Sequence, residues 1–169
     1  MESADLLRTF FDHHRWATGG LFAQLELCDE AELRDAPREG AWGPFQTLHH
    51  MLETENFWFR LIRGVPFKDV AGGFREHQTL ATLRLAWDGL YEELGAYLAS
   101  MDESEVDRTF EVSFPNGVSF SPIVHQALSQ LTVHSGQHRS ELALMVSELG
   151  HSPGELGLWD YLREVDGGD

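Results

Sequence analysis

Residues 121–150 read SPIVHQALSQLTVHSGQHRSELALMVSELG. On a helical wheel turning about 100° per residue, with Val124 as zero, seven apolar residues fall within about 60° of it: Ala127, Leu128, Leu131, Leu142, Met145, Val146 and Leu149. The stretch therefore predicts one long amphipathic helix. Ser121 is placed to cap it, Pro122 to open it and Gly150 to end it. His134 and His138 lie at about −80° and −40°, on the same buried arc and one turn apart, so both rings can reach one ion. His125, at about +100°, faces elsewhere.

Three more helices precede this one. The first runs from about Ala4 to Leu27, capped by Ser3, with the stripe Leu7, Phe10, His14, Ala17, Leu21 and Leu25. A polar loop follows, ending at Gly40-Ala-Trp-Gly-Pro44. The second helix opens near Pro44 and stops at Arg63-Gly64. After a loop from Gly64 to Arg75, the third carries Leu80, Leu83, Trp87, Leu90, Leu94, Tyr97 and Met101. Asn116-Gly117, between two runs rich in Val and Phe, predicts a β-hairpin pairing Phe110–Phe114 with Val118–Phe120. Ser152-Pro153-Gly154-Glu155 has the form of a capping box and opens a last short helix through Trp159, Tyr161 and Leu162. The expected fold is all-α: a four-helix bundle over residues 1–169 as a single domain, with the hairpin before the fourth long helix and a short C-terminal helix. The connections exceed the shortest bundle loops, so simple up-down order is not assumed.

Composition narrows the function. The chain has 169 residues, 42% of them hydrophobic, with 28 acidic against 12 basic residues and a formal charge of −16. Such a surface repels phosphate backbones and anionic lipids, so neither nucleic acid nor a membrane is an expected partner. The N-terminus lacks the basic start and apolar run of a signal peptide, and no stretch approaches the roughly 18 apolar residues of a membrane span. One cysteine, Cys28, excludes an intramolecular disulfide and suits a reducing, cytoplasmic compartment. It reads as an inert residue rather than a nucleophile, since no histidine lies near it in sequence.

On the second helix, with Leu48 as zero, His49 joins Glu53, Asn56 and Arg60 on the solvent side, whereas His50 lies at about 200° beside Phe57 and Leu61. Glu55 falls at about 340°, inside the Leu48–Leu52–Phe59–Ile62 stripe, where a carboxylate is costly unless paired. Any one histidine on an apolar face is more often a hydrogen-bonded core residue. Two histidines one turn apart plus a third on a neighbouring inward face is what a metal needs. Neutral imidazoles bind Zn²⁺ and Ni²⁺, and three protein ligands leave positions open for water and substrate. His50, His134 and His138 are thus the candidate metal ligands and His14 lines the site. Glu55 is the candidate catalytic carboxylate, orienting a ligand or a metal-bound water, with a salt bridge inside the bundle as the plainer alternative.

Three motifs carry a resemblance: Leu48-His-His50-Met-Leu-Glu-Thr-Glu55-Asn-Phe-Trp58, Val133-His134-Ser-Gly-Gln-His138-Arg139-Ser140, and Gly150-His-Ser-Pro-Gly-Glu-Leu-Gly-Leu-Trp-Asp160-Tyr-Leu162. Through them the chain resembles the DinB/YfiT-like metalloenzymes almost end to end. Ser140 stands where many members have glycine. The resemblance implies a four-helix bundle holding one divalent metal per chain, nickel or zinc, on His50, His134 and His138. It also implies a homodimer, a stress-response setting in some members and a small-molecule substrate. Characterised relatives include bacillithiol S-transferases and a mycothiol-dependent isomerase. The leading expectation is therefore a metal-dependent S-transferase using a low-molecular-weight thiol as co-substrate against small electrophiles. A metal-dependent hydrolase and a non-catalytic metal-binding stress protein are the alternatives.

Overall fold

The bundle's packing order departs from the order of its helices along the chain. The computed structural model describes residues 3–37, 39–70 and 77–167. Its four long helices are α1 (Ser3–Leu25), α3 (Pro44–Ile62), α5 (Leu80–Ser100) and α7 (Val124–Glu148). α7 packs on both α1 and α3, and α5 packs on both as well. The ring is therefore α1–α7–α3–α5, with the first and second long helices on one diagonal and the third and fourth on the other. The connections reflect this. Residues 26–43 must cross the bundle and carry α2 (Glu30–Arg34), and residues 101–123 must do the same and carry α6 (Glu103–Val106) and the hairpin. The shorter link between α3 and α5 contains α4 (Phe67–Val70), and the rest of the predicted Gly64–Arg75 loop lies mostly outside the described residues.

Each long helix buries its predicted stripe. Leu21 and Leu25, Leu48 and Leu52, Leu83 and Leu94, and Leu128 and Leu142 are all at most 2% exposed. Burying each such side chain contributes about 1.5–3 kcal/mol relative to leaving it in water. Phe10, assigned to the first stripe, is instead exposed, and Phe11 takes its place in the core. No described helix is long and apolar enough to cross a membrane.

Three helix starts differ from expectation. Ser3 is already helical, and the amide of Ala4 is satisfied from outside by the Glu103 carboxylate at 3.3 Å. Ser121 and Pro122 do not open α7. The Pro122 carbonyl instead accepts from the Phe110 amide at 3.1 Å, and Thr109 bridges Ile123, so the chain stays extended until Ile123 caps the helix. The Ser152–Glu155 segment is likewise not the cap of the last helix; α8 (Leu158–Val165) starts three residues after Glu155, behind Gly157. Gly150 ends α7 as read, at φ 86°, with the His151 amide reaching back to the Val146 carbonyl.

The hairpin forms at the expected place with a longer turn. β1 (Val112–Ser113) pairs antiparallel with β2 (Ser119–Phe120), Val112 opposite Phe120. The Gly117 amide bonds the Phe114 carbonyl at 3.0 Å and the Phe114 amide bonds the Val118 carbonyl at 2.8 Å, so Pro115, Asn116 and Gly117 form a three-residue loop. Pro115 fits the first corner and Gly117, at φ 85°, takes the left-handed position.

Candidate metal centre

α3 and α7 are neighbours in the ring, and their facing edges carry the three histidines. The ligand-capable nitrogens of His50, His134 and His138 all lie within 4.8 Å of one another, and all three residues are half-buried. Nε2 of His134 and Nε2 of His138 are 3.2 Å apart, the two rings nearly perpendicular. Two imidazole nitrogens on one Zn²⁺ at about 2.1 Å sit roughly 3.0–3.4 Å apart, so this spacing fits a shared ion. His50 closes the group edge-on, its ring centroid 5.4 Å from that of His134 and 5.1 Å from that of His138. The exposed Trp42 lies over His50, ring centroids 4.7 Å apart.

Protein groups prepare these rings to coordinate. The Nδ1–H of His138 donates to Glu141 Oε2 at 2.8 Å, which leaves the Nε2 lone pair for an ion. This carboxylate–histidine pairing is the arrangement that fixes metal-binding imidazoles. His134 Nδ1 is buried with no hydrogen-bond partner among the described residues, and its Nε2 is the atom that faces His138 Nε2. Burial, followed by repulsion from His138, lowers the pKa of both His50 and His134 below the usual imidazole range and favours the neutral, ligating form. A set of three neutral imidazoles with no thiolate suits a borderline divalent ion such as zinc or nickel, so the residues present fit the metal the motif implies. Ion binding should hold from pH 7.5 down to about 6.5 and weaken only below it, because imidazolium cannot ligate. Zinc titration in chelator buffers from pH 7.5 to 4.5 checks this. Loss beginning above pH 6.5 would contradict the lowered pKa values.

Beneath the triad, one side of the helix turns from rim to core. Ser135 and Arg139, each one residue after a histidine, are buried, at 0% and 8% exposure. The wheel had placed His134 and His138 on the buried arc, but the structure leaves them at its edge, accessible from the surface. Glu55, 2% exposed, accepts from His14 Nε2–H at 2.9 Å, from the Tyr91 hydroxyl at 3.0 Å and from the Ser135 hydroxyl. Arg139 in turn donates to His14 Nδ1. A guanidinium can only donate, so His14 Nδ1 carries a lone pair and its proton is on Nε2. His14 is thus a neutral relay between a buried anion and a buried cation. Burial lowers its pKa, with Arg139 adding to that and Glu55 opposing it. The pKa of Glu55 is also lowered. Burial opposes this, but the hydrogen bonds from His14, Ser135 and Tyr91 prevail. All four long helices contribute to this network, across the α1–α3 diagonal.

The structure brings the candidate ligands His50, His134 and His138 together and places Glu55 and His14 inside the bundle. Neither Glu55 nor His14 belongs to the three-nitrogen group. Arg139, Ser135, Tyr91, Trp42 and Glu141 were missed. Two of them had a signal, since Ser135 and Arg139 fall at about 20° and 60° on the α7 wheel, within the apolar arc. A basic residue there answers the acidic residue in the α3 stripe. His49 stacks near Phe45, ring centroids 6.2 Å apart, away from the triad. Cys28 is half-buried with its thiol pKa raised, first by burial and then by Glu32 and Asp29, as expected of an unreactive thiol.

The sequence profile of the DinB superfamily matches residues 13–142, which span all three histidines. Among solved structures, a DinB-like protein of Bacillus subtilis superposes with a TM-score of 0.66 at 17% identity, covering 85% of this chain and 93% of that one. YfiT of Bacillus subtilis, described as "a probable metal-dependent hydrolase with an unusual four-helix bundle topology", gives 0.68 at 16% identity over 90% and 92%. TT2238, described as a four-helix bundle protein, gives 0.57 at 22% identity over 79% and 94%. At these identities the likeness is one of fold. No curated protein sequence matches the chain.

Proposed function

The chain belongs to the DinB superfamily, and from that membership and its histidine triad we propose that it is a divalent-metal-dependent S-transferase, joining a low-molecular-weight thiol to small electrophiles. The observation that carries this reading is the convergence of His50, His134 and His138 at the protein surface, with no fourth protein ligand in the group among the described residues. A divalent ion held there supplies a Lewis acid that lowers the pKa of a thiol or water brought against it. His50, His134 and His138 hold that ion as neutral donors. Glu141 orients His138 through Nδ1 and keeps its Nε2 turned toward the site. Glu55 acts from below. Its bonds to Ser135 and, through His14, to Arg139 fix the two residues that follow the ligands on α7, so it positions the triad.

The choice of nucleophile follows from what this network leaves over. Water needs strong activation and usually a positioned general base. Glu55, the buried carboxylate beneath the triad, is already committed to three donors, and Glu141 to His138 Nδ1. A thiol starts about 7 pH units closer to ionisation than water and makes less demand on a base. A second reading, hydrolysis by activated water, draws on the description of YfiT. Incubating the zinc- or nickel-loaded protein with monobromobimane, with and without a thiol, separates the two. Consumption that needs both metal and thiol is expected, and turnover of ester substrates without thiol would favour hydrolysis.

The same reading includes a homodimer. Light scattering at micromolar concentration should give twice the chain mass of 19.1 kDa, and a monomer mass would contradict it.

A further inference from the structure

The three histidines of the triad are held in place by different means. Glu141 ties the His138 ring through Nδ1, and the His134 ring has its Nδ1 edge buried in the protein. The His50 ring makes no hydrogen bond to any described residue, and its contacts are with other rings. Two of those rings are the other candidate ligands. The third is Trp42, whose centroid lies 4.7 Å from that of His50 with the planes 59° apart. The same indole runs nearly parallel to the His138 ring, 27° away in tilt with centroids 6.5 Å apart. Trp42 thus stands against two of the three histidines while remaining 40% exposed.

The backbone fixes where that indole sits. Trp42 belongs to the corner Gly40-Ala-Trp-Gly-Pro44 between α2 and α3. Gly40 takes a left-handed φ of 78°, open to glycine at little cost. Gly43 lies against the end of α2, where a Cβ would meet the Asp35 carbonyl oxygen at 2.7 Å and the Arg34 carbonyl oxygen at 3.0 Å. Gly43 then caps α3, and Pro44 opens the helix with its φ already set. α2 is itself anchored, by the buried Leu33 and by the Arg34 guanidinium over the Phe45 ring. Residues 40–43 are two glycines, an alanine and Trp42, so the one large side chain of this corner is the one laid on His50.

We infer that Trp42 is a positioning residue: its indole braces the His50 ring, the candidate ligand with no described hydrogen bond, and thereby raises the affinity of the metal centre. The inference rests on the metal centre proposed above and goes beyond it, because the three ligands by themselves require no aromatic residue ahead of α3. An imidazole free to rotate must be ordered when an ion binds, which amounts to about a two- to tenfold loss of affinity for one side chain. Packing His50 against Trp42 meets that cost before the ion arrives.

The test reads metal affinity of the full chain by competition with a chelator, first with Zn²⁺ alone. Trp42→Ala should weaken binding about five- to tenfold, whereas Trp42→Phe, which keeps a flat face over His50, should stay within about twofold. Trp159→Ala, which removes a tryptophan 78% exposed on α8, should leave the affinity unchanged. The second measurement uses Cu²⁺, which binds imidazole more tightly than Zn²⁺ and keeps a two-histidine site measurable. In a His50→Ala background, Trp42→Ala should cost less than about twofold, because the ring it acts through is gone. In a Glu141→Gln background its cost should persist, because Glu141 acts on His138. Unmodified affinity in Trp42→Ala, or an equal loss in Trp42→Phe, would overturn the inference and leave the metal centre standing. A loss that persists in the His50→Ala background would overturn it too, since that is a loosening of the corner rather than an effect on His50. Absence of ion binding by the unmodified chain would overturn both.

Discussion

Glu55→Leu should destabilise the protein by about 3–5 kcal/mol, enough to lower Tm by roughly 10 °C in a chain of this length. The loss comes from what the substitution leaves behind. Arg139 remains 8% exposed with its counter-charge gone, and His14, Tyr91 and Ser135 each lose a buried acceptor. Arg139→Met should cost a similar amount for the mirror reason, since Glu55 would keep its charge without a cation. The double variant Glu55→Leu/Arg139→Met should be more stable than the sum of the two predicts, by at least about 1–2 kcal/mol, because it removes both buried charges together. Urea denaturation followed by circular dichroism measures all three. A cost under about 1 kcal/mol for either single change would mean that the network does not hold the bundle.

The network also sets a pH dependence. His14 has a folded pKa below its unfolded one, so the unfolded chain takes up its proton first. Its contribution to stability is complete above about pH 6.5 and is lost as pH falls through the lowered folded value. The lowered pKa of Glu55 adds a second loss with the same sign at more acidic pH.

The second large effect is on the metal. Replacing His134 or His138 by alanine should weaken zinc binding beyond the 10–100-fold typical of a supporting residue, and so abolish stoichiometric metal after dialysis. His50→Ala should do the same, while His49→Ala should leave the content unchanged, because its ring packs beside Phe45 and is not one of the three converging groups. Glu141→Gln should fall between these, at about tenfold, since an amide oxygen can still accept from His138 Nδ1. Elemental analysis of the dialysed proteins reads the series. Metal lost from His49→Ala and kept by His50→Ala would reverse the assignment on α3.

Periodicity makes faces legible, and this explains which parts of the molecule could be read from the sequence. Stripes such as Leu48–Leu52–Phe59 and Leu83–Trp87–Leu90 gave the long helices nearly to the residue, and the inward turn of His50 against His49 followed from the same arithmetic. A face does not name its neighbour. That α1 and α3 sit on a diagonal depends on connections holding α2 and α6, helices of five and four residues that are too short to show a period. The start of α7 was misplaced because Ser121-Pro122 carries a strong local signal that the hairpin's tertiary pairing overrides, by using the Pro122 carbonyl as an acceptor. Within the site, the pairing of His134 with His138 was legible because i, i+4 spacing is a strict constraint. The relay from Arg139 through His14 to Glu55 was not, since it joins residues 125 and 41 positions apart.

The most direct test of the metal centre is X-ray absorption at the zinc edge on the loaded, full-length protein. The arrangement of His50, His134 and His138 predicts three imidazole nitrogens at about 2.0–2.1 Å, with the remaining coordination filled by light oxygen scatterers. A sulfur scatterer at about 2.3 Å, or a shell without imidazole scattering, would contradict it.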